Sequence, residues 1–188
     1  LAYLGKAQGV IKMEPAGSLR RSKEIVHDLD ILACVKDPKR FHQYFADYPA
    51  TQSLIAHGET KSSILLAGGM NVDLRTVTEK EYPYALFYFT GSKEHNVAVR
   101  TLAKKQSIKV NEYGLWKKNR FVTCKDETEI YKALGMDYIP PEARENTGEI
   151  EWALKKAFPR LVERSDLRGV FHVHSTYSDG HAALEDMI

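Results

Sequence analysis

The sequence predicts an α+β fold: a mixed sheet with a helix packed on its back, followed by a smaller α+β domain. Three observations predict it. Short β-prone segments separated by glycine-bearing turns fill the first 78 residues, stretches with helical apolar spacing lie between and after them, and the pattern changes near Thr78. Residues 1–78 are expected to form the sheet domain, 79–160 the smaller domain, and 161–188 a linker with the start of a further element.

Val10 to Ala16 and Leu29 to Val35 read as buried strands, and the twelve-residue stretch GSLRRSKEIVHD between them is long enough for a turn and a short helix only. Pro38 opens a helix over PKRFHQYFADY, in which Phe41, Tyr44, Phe45 and Tyr48 recur at helical spacing. TQSLIAHG, KSSILLAG and NVDLRTV follow as strands, and the turns at Gly58–Thr60 and Gly68–Met70 suggest hairpins. After Thr78 comes the aromatic, apolar EYPYALFYFTGS, then HNVAVRTLAKKQ, an amphipathic helix carrying Val97, Leu102 and a basic face. SIKVNEYGLWKKNRFVTCKD reads as a small hairpin and ETEIYKALG as a short helix, with Thr128 or Asp126 as its cap and Gly135 as its end. Pro140 and Pro141 precede one more helix in TGEIEWALKKAF.

At 43% hydrophobic and 28% charged residues, the composition is that of a globular chain and excludes a disordered or fibrous one. No apolar run reaches the roughly 20 residues of a membrane span. Cys34 and Cys124 stand apart from any partner motif, so reduced thiols and a cytoplasmic setting are expected. A net charge of +2 does not announce nucleic acid by itself, and such a partner has to be argued from local patches. The sequence begins at Leu1 and stops at Ile188 inside a motif, which reads as an internal fragment of a longer protein.

Carboxylates carry the chemistry. Strand alternation puts Asp28 and Asp30 on one face, and Asp73, on a later strand, would complete an oxygen-rich site for magnesium. Three crowded carboxylates raise one another's pKa unless cations join them. Two ions about 3.5 to 4 Å apart would activate an attacking hydroxyl and steady a leaving phosphate. Upstream, Gly17 and Ser18 form a small turn whose amides and hydroxyl can approach phosphate oxygens, with Arg21 adding a charge-assisted fork. Taken singly, a DxD pair is a polar strand face, Gly17-Ser18 an ordinary turn and Arg20-Arg21 an exposed basic pair. In this order and spacing they point to phosphoryl or nucleotidyl transfer.

AGSLRR, DLDIL, NVDLR, ALFYFTGS and VNEYGL, spread over residues 14 to 115, resemble the family X DNA polymerases, the group that includes DNA polymerase beta. The resemblance is specifically to the bacterial type fused to a PHP phosphoesterase domain. It implies a nucleotidyltransferase palm followed by a thumb. In that palm Asp28 and Asp30 bind magnesium, with manganese as an alternative, and Asp73 helps activate the primer 3′-hydroxyl. It implies that Gly17, Ser18 and Arg21 grip the β and γ phosphates, that Tyr88, Phe89, Thr90 and Gly91 lie against the sugar, and that Asn96 meets the base edge. Arg100 would approach the template strand, Arg75 would partner the third aspartate, and Lys104 and Lys105, with Lys117, Lys118 and Arg120, would give salt-sensitive DNA contact. The partners so implied are primed or gapped DNA and a deoxynucleoside triphosphate, for a monomeric DNA-directed DNA polymerase in gap-filling repair.

The sequence departs from the family at Ser22 and His27, where glycines are usual, and at Asn71, where the beta enzyme has arginine. DLRGVFHVHSTYSDG resembles the first strand of a PHP domain, in which His172, His174 and Asp179 would begin a zinc or manganese site that later residues complete; Val170 stands where an acidic residue is common. The family's amino-terminal DNA-gripping segments are expected to lie outside this sequence, so the fragment by itself is expected to bind nucleotide and DNA poorly and to polymerise feebly if at all. Three alternatives stand beside this reading: a nucleotidyltransferase acting on another acceptor, a DNA-binding module without catalysis, and a longer protein whose main activity is that of the PHP phosphoesterase.

Overall fold

The computed structural model describes residues 1–170 and 172–187. Residues 1–158 form one compact unit and residues 159–188 a second. The first unit opens with strand β1 (Val10–Pro15), helix α1 (Gly17–Arg20), β2 (Asp28–Val35) and α2 (Pro38–Ala46). β3 (Thr51–His57), β4 (Lys61–Leu66) and β5 (Asn71–Thr76) complete a five-stranded sheet in the order β1-β2-β5-β4-β3. Only the central pair, β2 and β5, runs parallel; the other neighbours are antiparallel. This is the mixed α+β architecture that the sequence predicts.

The composition of β2 explains how the sheet is covered. Alternation sends Leu29, Ile31, Ala33 and Val35 to one face and Asp28, Asp30, Leu32 and Cys34 to the other. On the first face Ile31, Ala33 and Val35 join Ile64, Val72 and Leu74 beneath Phe41 and Phe45 of α2. That helix starts where Asp37 accepts a hydrogen bond from the Arg40 amide (3.0 Å) and Pro38 takes the first turn. On the second face Leu32 and Cys34 are covered by Tyr82, Ala85 and Leu86 of α3 (Tyr82–Thr90). α3 stops short of the strand's amino end, so Asp28 and Asp30 are left uncovered by that apolar cluster.

Helix α3 is apolar nearly all round, as a helix buried on several sides must be. Its Tyr84 and Phe87 enter a second core with Val99 and Ala103 of α4 (Lys93–Lys105), Ile130 and Tyr131 of α5 (Glu127–Ala133), and Ile150 and Ala153 of α6 (Glu149–Leu154). The loop at residue 78 therefore precedes a helix shared by two cores, and residues 79–158 belong to the same compact unit as the sheet.

SIKVNEYGLWKKNRFVTCKD is a three-stranded meander, not a single hairpin: β6 (Ile108–Asn111), β7 (Gly114–Lys117) and β8 (Arg120–Val122). Lys118 and Asn119 both take positive φ (48° and 61°), which closes a two-residue turn and folds the chain back a second time. Asp126, accepting from the Glu129 amide at 2.9 Å, caps α5. Cys34 and Cys124 are buried free thiols. Among the described residues no helix is long and apolar enough to cross a membrane.

In the second unit the residues flanking Phe171 form no strand, although a first strand was expected there; Phe171 itself lies outside the described residues. A strand needs a neighbour to satisfy its amides and carbonyls, and none is found among the described residues of 159–188.

Candidate active site

The parallel pairing of β2 with β5 puts Asp30 directly opposite Asp73 and Asp28 opposite Asn71. Side chains paired in register share a face, so the three aspartates line one face of the sheet at the amino end of β2 and β5, the carboxylate edge of that face. Asp28 is exposed, and Asp30 and Asp73 are half-buried. Gly17 lies against this edge with φ +56°, and a Cβ there would collide with Asp30 Oδ2. Glycine is therefore required twice over, for the backbone and for the carboxylate. The Ala16 amide, donating to the Asp30 carbonyl at 2.8 Å, ties the turn to the strand.

The two central carboxylates differ in charge balance. Burial, with Asp28 and Asp73 close by, pushes Asp30 up despite Arg75 and Lys61. Burial also pushes Asp73 up, but bonds from Lys61 and Ser63 and the nearby Arg75 outweigh it and hold Asp73 below the usual range. Lys61 Nζ lies 2.6 Å from Asp73 Oδ2, and Ser63 donates to Oδ1 at 2.5 Å. Among the described residues no three acidic, histidine or cysteine side chains are gathered into a ready-made metal cage. The donor set nonetheless suits a hard divalent ion: carboxylate oxygens on one face, one of them carrying unneutralised charge.

The Arg20-Arg21 pair is not the exposed pair that it looks like in isolation. Arg20 forks onto Glu127 (3.0 and 2.7 Å) and donates to Thr90 Oγ1 at 2.6 Å. Arg144, fully buried, donates to the same Glu127 at 2.6 Å and to the Ile139 carbonyl at 2.9 Å. These two guanidinium groups hold Glu127 low against the upward push of burial. Arg21 Nε donates to Glu145 at 2.8 Å and its Nη1 to the Thr90 carbonyl at 2.9 Å. Both arginines of the turn thus reach the end of α3, where Tyr88, Phe89, Thr90 and Gly91 lie.

Tyr88 and Phe89 are half-buried and edge-to-face at 5.3 Å, with the Arg75 guanidinium 4.4 Å from the Phe89 ring centre. Asn96 donates to the Tyr88 carbonyl at 2.6 Å, and the missing Cβ of Gly91 leaves room for its Oδ1. Beneath it, buried His95 joins Glu149 (2.6 Å) to Tyr131 (3.0 Å). Arg100 and Lys104 share an open groove with Thr101, Lys109 and Asn111, while Lys105 lies outside its lining. His27 is exposed, and Ser22 takes a left-handed φ of 56°, the region that favours glycine. Ser18 lies half-buried on the first turn of α1.

In the second unit His172 and His174 bring their Nε2 atoms to 2.8 Å, and His174 Nδ1 lies 2.5 Å from Asp179, whose carboxyl is held low by that bond. All three side chains are exposed. Sequence reasoning missed Lys61, Ser63, Glu127, Arg144, Glu145 and the His95–Glu149 pair. None belongs to a local motif, and for Glu127 the lone signal was its place in the first turn of a capped helix.

The DNA polymerase beta thumb family matches residues 85–145. The chain is similar to the DNA polymerase/3'-5' exonuclease PolX of Bacillus subtilis, 36% identical over 189 residues, which is 98% of this chain and 33% of that protein. It is 32% identical over 136 residues to the repair DNA polymerase X of African swine fever virus, covering 68% of this chain and 78% of the viral protein. DNA polymerase IV of Saccharomyces cerevisiae is 36% identical over 70 residues, 37% of this chain and 11% of that one. The chain therefore spans about a third of the length of the Bacillus relative. The viral relative is matched over most of its length by a chain whose thumb region fits the family and whose sheet aligns the three aspartates, so the chain belongs to the family X DNA polymerases.

Proposed function

We propose that this chain is the palm and thumb of a DNA-directed DNA polymerase that adds a deoxynucleotide to a primer end in gap-filling repair; the viral relative's name indicates repair. The observation that carries the reading is the in-register pairing of Asp30 with Asp73, with Asp28 on the same face beside the Gly17–Ser18 turn. Asp28 and Asp30 would hold magnesium or manganese, which supplies charge neutralisation at the attacked phosphorus. Asp73, ionised and fixed by Ser63, would accept a hydrogen bond from the primer hydroxyl, orienting it and drawing its proton away from the attacking oxygen. Ser18 and Arg21 receive the triphosphate, the Tyr88–Gly91 turn takes the sugar, Asn96 the base edge, and Arg75 adds to Lys61 and Ser63 in keeping Asp73 ionised. Arg100 and Lys104, in one groove, meet the template backbone, and Lys105 extends the basic face of α4.

The reading carries with it primed DNA and a deoxynucleoside triphosphate as partners, a monomer, and a cytoplasmic setting consistent with two buried free thiols. His172, His174 and Asp179 begin a second metal-binding segment, of the PHP kind with zinc or manganese, which residues of the longer protein would complete; their mutual contacts support that assignment.

The test is extension of a gapped primer by the longer protein containing this chain. Asp30→Asn is expected to lower extension at least about 100-fold, the scale of losing a charge-stabilising group at a reacting phosphate. Equal extension by both proteins would overturn the reading.

A further inference from the structure

Arg21 is expected to receive phosphate, yet in this structure it is already engaged. Its Nε donates to Glu145 Oε1 at 2.8 Å, and Lys23 Nζ lies 3.8 Å from the same oxygen. The Arg21 side chain is 12% exposed and that of Glu145 26%, so the pair is more strongly coupled than one on an open surface.

Glu145 is not a wandering surface carboxylate. Its neighbour Arg144 is fully buried and pinned by Glu127 and the Ile139 carbonyl. The Arg144 carbonyl accepts from the Ser92 amide at 3.2 Å, and the Asn146 amide on the other side donates to Glu149 at 3.0 Å. The backbone on both sides therefore holds the Glu145 carboxylate beside the turn where a polyphosphate is to bind. Like charge there repels an incoming phosphate chain, and a phosphate oxygen seeking Arg21 Nε has to replace Glu145 Oε1.

We propose that Glu145 is a positioning residue that occupies Arg21 until nucleotide arrives and is exchanged for a phosphate oxygen on binding. This rests on the assignment of Arg21 to the triphosphate. The exchange sets nucleotide affinity and selects for multiply charged phosphates, because a single weak anion cannot outcompete a tethered carboxylate. The Arg21 bond to the Thr90 carbonyl persists through the exchange, so the guanidinium stays aimed at the turn after Glu145 lets go.

The test is titration calorimetry of inorganic tripolyphosphate into the full chain with magnesium, for the unaltered protein, Glu145→Gln, Glu145→Ala and Arg21→Met, each checked by thermal melting. Removing the Glu145 charge is expected to tighten tripolyphosphate binding about three- to fivefold, the scale of a half-buried ion pair lost to competition. In the Arg21→Met background the same change is expected to do much less. In the longer protein the nucleotide KM should fall with kcat unchanged, a split that a merely structural role would not produce. Unchanged or weakened binding in both Glu145 variants, with Arg21→Met still weakened, overturns the exchange and leaves the role of Arg21 intact. If Arg21→Met binds tripolyphosphate as well as the unaltered chain, the Arg21 assignment falls first and the exchange with it. Should one Glu145 variant melt early, the Arg21 Nε–H resonance of the unaltered chain decides: a shift on adding tripolyphosphate supports the exchange, and none overturns it.

Discussion

The carboxylate edge of the sheet and the arginine layer a few residues away contain the same kinds of charge and treat them in opposite ways. In the arginine layer Glu127 lies between Arg20 and Arg144, and Glu145 pairs with Arg21, so each guanidinium has a carboxylate partner. At the carboxylate edge Asp73 has Lys61, but among the described residues Asp28 and Asp30 have no ion pair, and Asp30 is pushed up by burial and its acidic neighbours. The difference teaches where function lies. Glu127, locked between two guanidinium groups, ties the fold together, whereas unbalanced charge, and under the proposed exchange the single Arg21–Glu145 pair, mark places open to something from outside.

Breaking the balanced side should cost most. Glu127→Ala leaves two buried guanidinium groups without their shared partner and is expected to lower stability by about 3–5 kcal/mol, read from urea midpoints. The opposite sign is expected across the divide: Asp30→Asn, which ends polymerisation under the proposed function, should raise the melting temperature of the metal-free chain by about 2 °C by removing like-charge crowding. A melting temperature below that of the unaltered chain would show that the crowding is already relieved by Arg75 and Lys61.

Acid should expose the balanced groups in sequence. Burial, with His57 nearby, lowers His42 from 6.5 to about 4, and the ring bonds Thr76 at 2.9 Å. The unfolded chain binds a proton that the folded one refuses, so stability is full above pH 6.5 and is lost as pH falls towards about 4, by at most about 1.4 kcal/mol per pH unit from this group. Glu127, depressed by its arginines, adds a further loss below its ordinary range as pH falls through its folded pKa. His42→Gln should flatten the first limb and leave the second; a profile unchanged by that substitution would assign the upper limb to another group.

Two smaller changes sharpen the contrast. Lys61→Met removes the ammonium beside Asp73 and is expected to cost about 0.5–1 kcal/mol, with the loss reduced by added magnesium if the edge takes a cation. Ser22→Gly relieves a left-handed backbone just after Arg21 and should stabilise by about 0.5–1 kcal/mol. A loss of stability instead would mean that the serine side chain makes up for its strain.

The elements of the sheet up to Thr76, both aspartate strands, the Asp126 cap and the three candidate carboxylates were legible in the sequence because each rests on a local period or a short motif; α3 and β8 were not, since an all-round apolar stretch and a two-residue turn at Lys118 and Asn119 carry no such period. Alternation alone sends Asp28 and Asp30 to one face. What only the tertiary structure decided is pairing across long stretches of chain: Asp30 beside Asp73 through a parallel ladder, α3 shared between two cores, a third strand folded back at Lys118 and Asn119, and Arg21 held by a residue 124 positions away. No sequence period encodes such contacts. They follow from packing both faces of one sheet and from the rule that a buried charge takes whichever opposite charge the fold brings near.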